Sequence, residues 1–171
     1  MRIFLRPITE KDSGNIVKWR NSEHVRQHCM TKALITEESN LKFYKNYILT
    51  GKYKQFIVER IEEETGLASY PIATVYLKDI DNENHRCELC IFTSDDVEWN
   101  AEGQSMAIKM LVEKAFEEYG IHKIYSYVFA KFNDEINLLQ SAGFSIETTL
   151  KEESVGENGY EDVVRMCVIN A

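Results

Sequence analysis

Small residues stand directly in front of a long amphipathic segment, a pattern that could bind a phosphate group. The run Gly103-Gln104-Ser105 precedes a stretch in which apolar residues recur at helical spacing. The N-terminus of a helix presents N–H groups without intrahelical acceptors at a positive dipole end, and small residues let an anion approach them. An apolar strand and a short helix ending at Gly143-Phe144 follow. The sequence therefore predicts an anion-binding loop in front of an α/β unit, suited to a phosphate-bearing cofactor.

A single acidic residue inside an apolar run could carry acid–base chemistry. Glu88 is the only charged residue between Cys87 and Thr93, a segment that indicates a strand. On a central strand, burial would raise the pKa of this carboxyl toward a range useful for proton transfer. The alternatives are a surface-facing glutamate and one member of a structural ion pair.

The cysteines and histidines do not indicate a metal site. Cys87 and Cys90 form a Cys-x-x-Cys, but residues three apart on a strand point to opposite faces. We therefore interpret them as small core residues and expect no metal ligands. The histidines show neither metal-ligand spacing nor a nucleophile partner; they are His24, His28, His85 and His122.

The composition favours a single acidic domain. The 171-residue chain carries 20 Lys and Arg against 28 Asp and Glu, a formal net charge of −8. This balance disfavours nucleic acid as the main partner and mildly favours a cationic small molecule or peptide. No apolar run reaches the length of a membrane span, and the charged N-terminus has no signal-peptide cleavage site. We expect one cytoplasmic domain over residues 1–171, with no membrane partner.

The elements that must position these groups follow from hydrophobic periodicity. Thr9 and Asp12 resemble a capping box before a helix whose apolar face includes Trp19. Three further helices are predicted at 36–51, 103–119 and 134–142. The predicted strands are 2–6, 56–58, 68–77, 87–93, 123–129, 144–150 and 162–169. This order predicts one α+β domain with a mostly antiparallel sheet flanked by helices.

These motifs, taken in order, resemble the GNAT superfamily of acetyl-CoA-dependent N-acetyltransferases. Within it, the chain resembles the branch of ribosomal-protein N-terminal acetyltransferases and spermidine acetyltransferases. The resemblance covers nearly the whole chain, through Leu5-Arg6-Pro7, Ile72-Ala73-Thr74-Val75, Asp79-Ile80-Asp81, Cys87-Glu88-Leu89, 100–116, Asn133, Gly143-Phe144 and Gly159-Tyr160-Glu161-Asp162. It implies a three-layer fold with a twisted central sheet. It also implies direct attack of a primary amine on acetyl-CoA in a ternary complex.

The resemblance also implies which residues contact the cofactor. The anchors of the family's pyrophosphate loop fall on Asn100, Gly103 and Ser105, of which only the glycine is standard. The Ser105 hydroxyl could donate to a phosphate, and Asn133 could contact the cofactor arm or act as a helix N-cap. The residues expected at acetyl-CoA are Phe92, Thr93, Asn100, Ala101, Glu102, Gly103, Gln104, Ser105 and Asn133.

For the chemistry, the resemblance supports Glu88 as the general base, with an oxyanion contact from a backbone N–H within 88–93. Many family members have a tyrosine that protonates the leaving thiolate, but Leu139 stands at that position here. The acid therefore stays unassigned among Tyr125, Tyr127 and Ser141.

The acceptor stays open among a protein N-terminus, a polyamine and an amino sugar. Trp19-Arg20-Asn21 could form the acceptor side, with Arg20 at a phosphate and Trp19 stacked on a ring, or could be a core tryptophan beside a solvated arginine. A homodimer is an open option. The rival hypothesis is a non-catalytic acyl-CoA-binding module with the same fold.

Overall fold

A single mixed sheet organises the molecule. The structure, a computed structural model, describes residues 1–96 and 99–171. Seven strands lie in the order β1-β2-β3-β4-β5-β7-β6, and every described neighbouring pair is antiparallel except β4 and β5. The strands are β1 Arg2–Pro7, β2 Lys54–Ile61, β3 Ser69–Asp81, β4 Arg86–Thr93, β5 Lys123–Phe129, β6 Ser145–Gly156 and β7 Gly159–Ile169.

Helices cover both faces of this sheet. They are α1 Ser13–Asn21, α2 Glu23–Arg26, α3 Glu37–Phe43, α4 Ala101–Glu118 and α5 Asn133–Ser141, and a π-helical turn, Tyr44–Ile48, continues α3. Buried residues of α4 and α5 pack on one face in the main core. A smaller core joins α1 and the α3 segment to the other face around Trp19. The predicted three-layer α+β fold with a mostly antiparallel sheet is confirmed.

The predicted capping residues, Thr9 and Asp12, contact each other immediately before α1. The backbone N–H of Thr9 donates to Asp12 Oδ2 at 2.8 Å. Asp12 also accepts two hydrogen bonds from the Arg6 guanidinium, at 2.7 and 2.8 Å. Although burial opposes ionisation of Asp12, these bonds hold its pKa below the ordinary value. The ion pair thus fixes α1 against the end of β1.

The last two strands are longer than predicted. β6 and β7 form a hairpin whose ladder continues to Gly156 and Gly159, whereas the sequence predicted strand ends at 150 and 162. Most side chains of 151–161 are exposed, so no alternation of apolar and polar residues marks this part of the hairpin. Gly159 has a φ of +116°, a conformation that favours glycine at the tight turn.

Candidate active site

The two parallel strands at the centre of the sheet separate partway along their length. β4 and β5 pair at Arg86–Lys123, Cys87–Ile124 and Glu88–Tyr125, and the ladder then ends. At that point Ser126 Oγ donates to the backbone carbonyl of Leu89 at 2.9 Å. Both strands continue beyond it, so an opening lies between their C-terminal parts. Ligands of open sheets with parallel strands commonly bind at the carboxyl ends of those strands.

Glu88 lies in the last residue pair before this opening. Its side chain is buried, and Oε2 accepts a hydrogen bond from Cys90 Sγ at 3.1 Å. The same oxygen is 3.5 Å from Lys78 Nζ on β3. The structure therefore places Glu88 in an ion pair, one of the two alternatives to a base, next to the opening. Its role as the base stays a prediction.

The two cysteines of β4 face opposite sides, as predicted. Cys87 lies in the main core, and burial raises the pKa of its thiol to about 12. Burial also raises the pKa of Cys90 well above its ordinary value, and the Glu88 carboxylate raises it further. Neither group is a thiolate near neutral pH, so neither is poised for nucleophilic attack. Within 1–96 and 99–171, no group of three His, Cys, Asp or Glu residues is arranged to hold a metal ion.

Aromatic rings line the same face of the sheet as Glu88. We define the aromatic wall as Phe43, Tyr47, Tyr53, Tyr76 and Phe92, whose successive ring centroids lie 4.9–6.0 Å apart. It runs from the half-exposed end of α3 to the strand that carries Glu88. Burial raises the pKa of Tyr53 and that of Tyr76, so both phenols are neutral. A wall of neutral aromatic faces can bind cations and alkyl chains.

The start of α4 differs from the prediction. The helix begins at Ala101, so the expected loop 100–105 is its N-cap and first turn. Asn100 Oδ1 accepts from the Gly103 N–H at 3.0 Å, and the Asn100 carbonyl accepts from Gln104 N–H at 3.0 Å. Helix geometry leaves the N–H groups of Ala101 and Glu102 without intrahelical acceptors, and these can still bind an anion.

Two of the predicted anchor residues serve packing instead. A Cβ at Gly103 would lie 2.8 Å from Met1 Sδ and 3.0 Å from the Trp99 ring, so a larger residue would force these side chains to shift. Ser105 is buried, and its Oγ lies 3.1 Å from Ser141 Oγ on α5. The Ser105 side chain therefore faces α5, and its contact with a phosphate stays a prediction.

Three further residues were expected to contact the cofactor, and the structure gives their positions. The Phe92 ring belongs to the aromatic wall and packs against the smaller core. Thr93 is the last residue of β4 and pairs with Ala73. Asn133 is the first residue of α5, and Phe132 occupies the N-cap, so the N-cap interpretation of Asn133 is wrong.

Of Trp19-Arg20-Asn21, the tryptophan is not available to stack on an acceptor, and the contact of Arg20 with an acceptor phosphate stays a prediction. Trp19 is 4% exposed within the smaller core, where its ring cannot stack on a ligand. The Asn21 side chain exchanges two hydrogen bonds with the Ile35 backbone, at 2.8 and 2.9 Å. Arg20 Nη2 donates to the Thr31 carbonyl at 2.6 Å. The tripeptide therefore anchors the segment that follows α2.

A further carboxyl group, on α5, is more buried than the sequence indicates. Glu135 lies in the first turn of α5, and its Oε2 is 3.9 Å from His28 Nε2. Burial raises the pKa of Glu135 to about 7. The available signal was its spacing of four residues from Leu139, which places both on one face of the short helix.

Comparison with known proteins decides the family. Residues 2–145 match the model of the acetyltransferase (GNAT) domain. This chain belongs to the GNAT acetyltransferase family. Spermidine N(1)-acetyltransferase of Escherichia coli strain K12 is 24% identical over 167 residues, which cover 97% of this chain and 85% of the relative. The structure of spermidine N-acetyltransferase from Vibrio cholerae in complex with CoA and spermine is also similar. It has a TM-score of 0.85 at 20% identity, and 98% of this chain and 95% of the other are covered.

For this GNAT protein, the predicted reaction class and co-substrate are confirmed: acetyl transfer from acetyl-CoA to an amine. The alternative of a non-catalytic acyl-CoA-binding module is not favoured. No helix in the described part of the chain is long and apolar enough to cross a membrane.

The three candidates for the thiolate acid make different contacts in the structure. Leu139 is buried in the main core of this GNAT domain. The Tyr127 hydroxyl accepts from Arg165 Nη1 at 2.7 Å, and Ser141 donates to the Leu138 carbonyl at 2.6 Å. Tyr125 lies beside Glu88 in the ladder, under the Arg165 guanidinium at 4.0 Å. The acid role stays unassigned.

Proposed function

We propose that this protein transfers the acetyl group of acetyl-CoA to a primary amine of a polyamine. The observation that carries the proposal is Glu88, a buried carboxylate at the point where β4 and β5 separate, beside the aromatic wall. The similarity to two spermidine acetyltransferases supports the same acceptor class. Among the acceptors that the sequence left open, the amino sugar loses its support because Trp19 is buried.

The residues at the opening fit acetyl-CoA. The N–H groups of Ala101 and Glu102 would contact its phosphates at the positive end of the α4 dipole. Asn133, at the start of α5, would contact the arm of the co-substrate. Acetyl-CoA supplies the acetyl group as a thioester. Backbone N–H groups of β4 beyond Glu88 would stabilise the carbonyl oxygen as it gains negative charge.

The acceptor side suits a flexible cation. Polyamines carry several ammonium groups on alkyl chains, and aromatic rings with carboxylates bind both parts. The aromatic wall offers neutral ring faces, and Glu88 offers a carboxylate next to the opening. The formal net charge of −8 attracts a polycation over longer distances, which raises its association rate.

Glu88 accepts the proton that the acceptor ammonium must lose before it attacks. Lys78 is 3.5 Å away and the Cys90 thiol donates to Oε2, so the carboxylate is held in one orientation. A general base positioned in this way contributes roughly 10²–10⁴-fold to the rate. Most of the remaining rate enhancement comes from holding amine and thioester together, for which positioning can supply roughly 7–11 kcal/mol.

The proposal is tested by release of free thiol from acetyl-CoA with a panel of amines. The panel contains spermidine, spermine, a short peptide with a free N-terminus, glucosamine and butylamine. We expect the highest kcat/KM with a polyamine, at least about tenfold above the peptide and the amino sugar. Faster release with the peptide or with glucosamine would overturn the polyamine acceptor. If no amine caused release of free thiol, acetyltransferase activity itself would be contradicted.

A further inference from the structure

Lys78 lies beside the carboxylate that acts as the general base in the proposed function. Lys78 on β3 and Glu88 on β4 are direct partners in the antiparallel ladder, so their side chains lie on the same face of the sheet. Lys78 Nζ is 3.5 Å from Glu88 Oε2. An acceptor amine must come equally close to Glu88 to lose its proton. The protein therefore holds a primary amine of its own next to the base.

The side chain of Lys78 is long enough to reach the opening between β4 and β5. β4 lies between β3 and β5 in the sheet, and Glu88 belongs to the last residue pair before the opening. Neighbouring strands are about 4.8 Å apart, and the four-carbon stem of a lysine is longer than this spacing. Lys78 Nζ already contacts a side chain of β4. Rotation about the outer bonds of the stem can move the nitrogen from Glu88 to the edge of the opening.

Lys78 is accessible, but its nitrogen needs a base before it can react. The side chain is 30% exposed, whereas that of Glu88 is 11% exposed. Although burial opposes the charge of Lys78, the acidic groups around it raise its pKa above the ordinary value; these groups are Cys90, Glu88, Tyr53 and Asp79. Lys78 is thus an ammonium near neutral pH, which has no lone pair for attack. Glu88 is the carboxylate in contact with it that can accept the proton.

We propose that Lys78 is a site of self-acetylation, which takes the acetyl group of acetyl-CoA bound to the same molecule when no polyamine is present, an inference that rests on the proposed function. Glu88 accepts one proton from the Lys78 ammonium, and the nitrogen lone pair then forms a bond to the thioester carbonyl carbon. The carbon–sulfur bond breaks, and the leaving CoA thiolate takes up the second proton of the nitrogen. The products are an amide at Lys78 and the free thiol of CoA.

This modification competes with the transfer to a polyamine. A bound polyamine places its own ammonium at Glu88 and displaces Lys78 from it. Acetylated Lys78 has no charge, so it no longer pairs with Glu88, and its acetyl group occupies space beside the base. Self-acetylation is therefore suppressed while acceptor is abundant and accumulates when acetyl-CoA is present alone.

Lys114 is a matched control for the ordinary reactivity of a lysine. Its side chain is also 30% exposed and pairs with a glutamate, Glu118, at 2.8 Å. The hydrogen bond to Glu118 raises the pKa of Lys114, as the pair with Glu88 does for Lys78. Lys114 lies on α4, which packs on the face of the sheet opposite to Glu88. Uncatalysed acetylation by acetyl-CoA should affect both lysines similarly, whereas only Lys78 has access to the base.

The test is mass spectrometry of the whole protein after incubation with acetyl-CoA alone, followed by peptide mapping. We expect Lys78 to be acetylated at least about tenfold faster than Lys114. Glu88→Gln should lower the rate at Lys78 to that at Lys114. If the pair were only structural, Glu88→Gln would release Lys78, lower its pKa and speed its uncatalysed acetylation. An unchanged or faster rate at Lys78 in Glu88→Gln, or equal rates at the two lysines in the wild type, would overturn the proposal.

Two measurements on the wild type keep the proposal testable if Glu88→Gln folds poorly. Saturating spermidine should slow acetylation of Lys78 at least about tenfold and leave Lys114 unchanged. The fraction of Lys78 acetylated per unit time should not depend on protein concentration, because both reacting groups belong to one molecule. A rate proportional to protein concentration, or acetyl found on Cys90 instead and removed by hydroxylamine, would overturn self-acetylation at Lys78.

The outcomes also separate this modification from the proposed function. Acetylation of Lys78 that depends on Glu88 but is not slowed by spermidine would support the modification and contradict the polyamine acceptor. Acetyl transfer to spermidine, with Lys78 acetylated no faster than Lys114, would overturn self-acetylation alone.

Discussion

The Ser126 hydroxyl donates to the Leu89 carbonyl at 2.9 Å, across the point where β4 and β5 separate. It takes over from the backbone ladder, which ends one residue earlier at Glu88 and Tyr125. Without it, a buried carbonyl at the edge of the opening would have no donor from β5. The side chain thus sets where the strands part and where the space for a thioester begins.

Replacing Ser126 with alanine should therefore reduce both stability and co-substrate binding. We expect the free energy of unfolding to fall by about 1–3 kcal/mol, because the buried Leu89 carbonyl loses its hydrogen bond. Denaturant unfolding measures this, with Ser145→Ala at an exposed residue of β6 as the control. The KM for acetyl-CoA should rise several-fold. Unchanged stability in Ser126→Ala would show that the bridge does not define the opening.

Asn100 separates helix capping from phosphate binding at the start of α4. An aspartate at this position can still accept from the Gly103 N–H, so Asn100→Asp should keep the unfolding temperature. Its negative charge would lie beside the N–H groups that we assign to phosphate, so the KM for acetyl-CoA should rise by about tenfold. Asn100→Ala should do the reverse and lower stability by about 1 kcal/mol. An unchanged KM in Asn100→Asp would place the phosphates elsewhere.

Glu135 should make the wild-type protein less stable as pH rises. Its folded-state pKa is about 7 and its ordinary value is 4.5, so the folded protein binds more protons within this window. Stability is therefore fully present below about pH 4.5 and is lost progressively up to about pH 7. Glu135→Gln should be more stable than the wild type at about pH 8 by about 1–3 kcal/mol, with little difference at about pH 4.5.

Urea unfolding at several pH values measures this difference, with Asp134→Asn as the control. A glutamine that is less stable than the glutamate at alkaline pH would contradict a burial cost at Glu135.

The sequence allowed the layers of the fold to be predicted because each has its own periodicity. β5 was placed at 123–129 and matches Lys123–Phe129, since its alternation is undisturbed. α4 was started too late because Gly103 resembles a loop residue, whereas in the structure it makes room for Trp99 and Met1. A glycine required by a packing contact and one required by a loop cannot be distinguished in a single sequence.

The site could be predicted only where a single residue differs in polarity from its neighbours in the sequence. Glu88 is conspicuous among apolar neighbours, but its pairing with Lys78 depends on strand register, which a sequence does not give. Glu135 resembles an ordinary acidic residue in the first turn of a helix. Its burial results from the segment after α2, which Asn21 and Arg20 anchor from more than ten residues away.

The central claim is that Glu88, at the opening between β4 and β5, is the general base for acetyl transfer to a polyamine. The most direct test is thiol release from acetyl-CoA with saturating spermidine, measured across pH for the wild type, Glu88→Gln and the control Cys90→Ala. We predict a kcat lower by roughly 10²–10⁴-fold in Glu88→Gln at every pH, and a change below about threefold in Cys90→Ala. Wild-type turnover and pH dependence in Glu88→Gln would contradict the account.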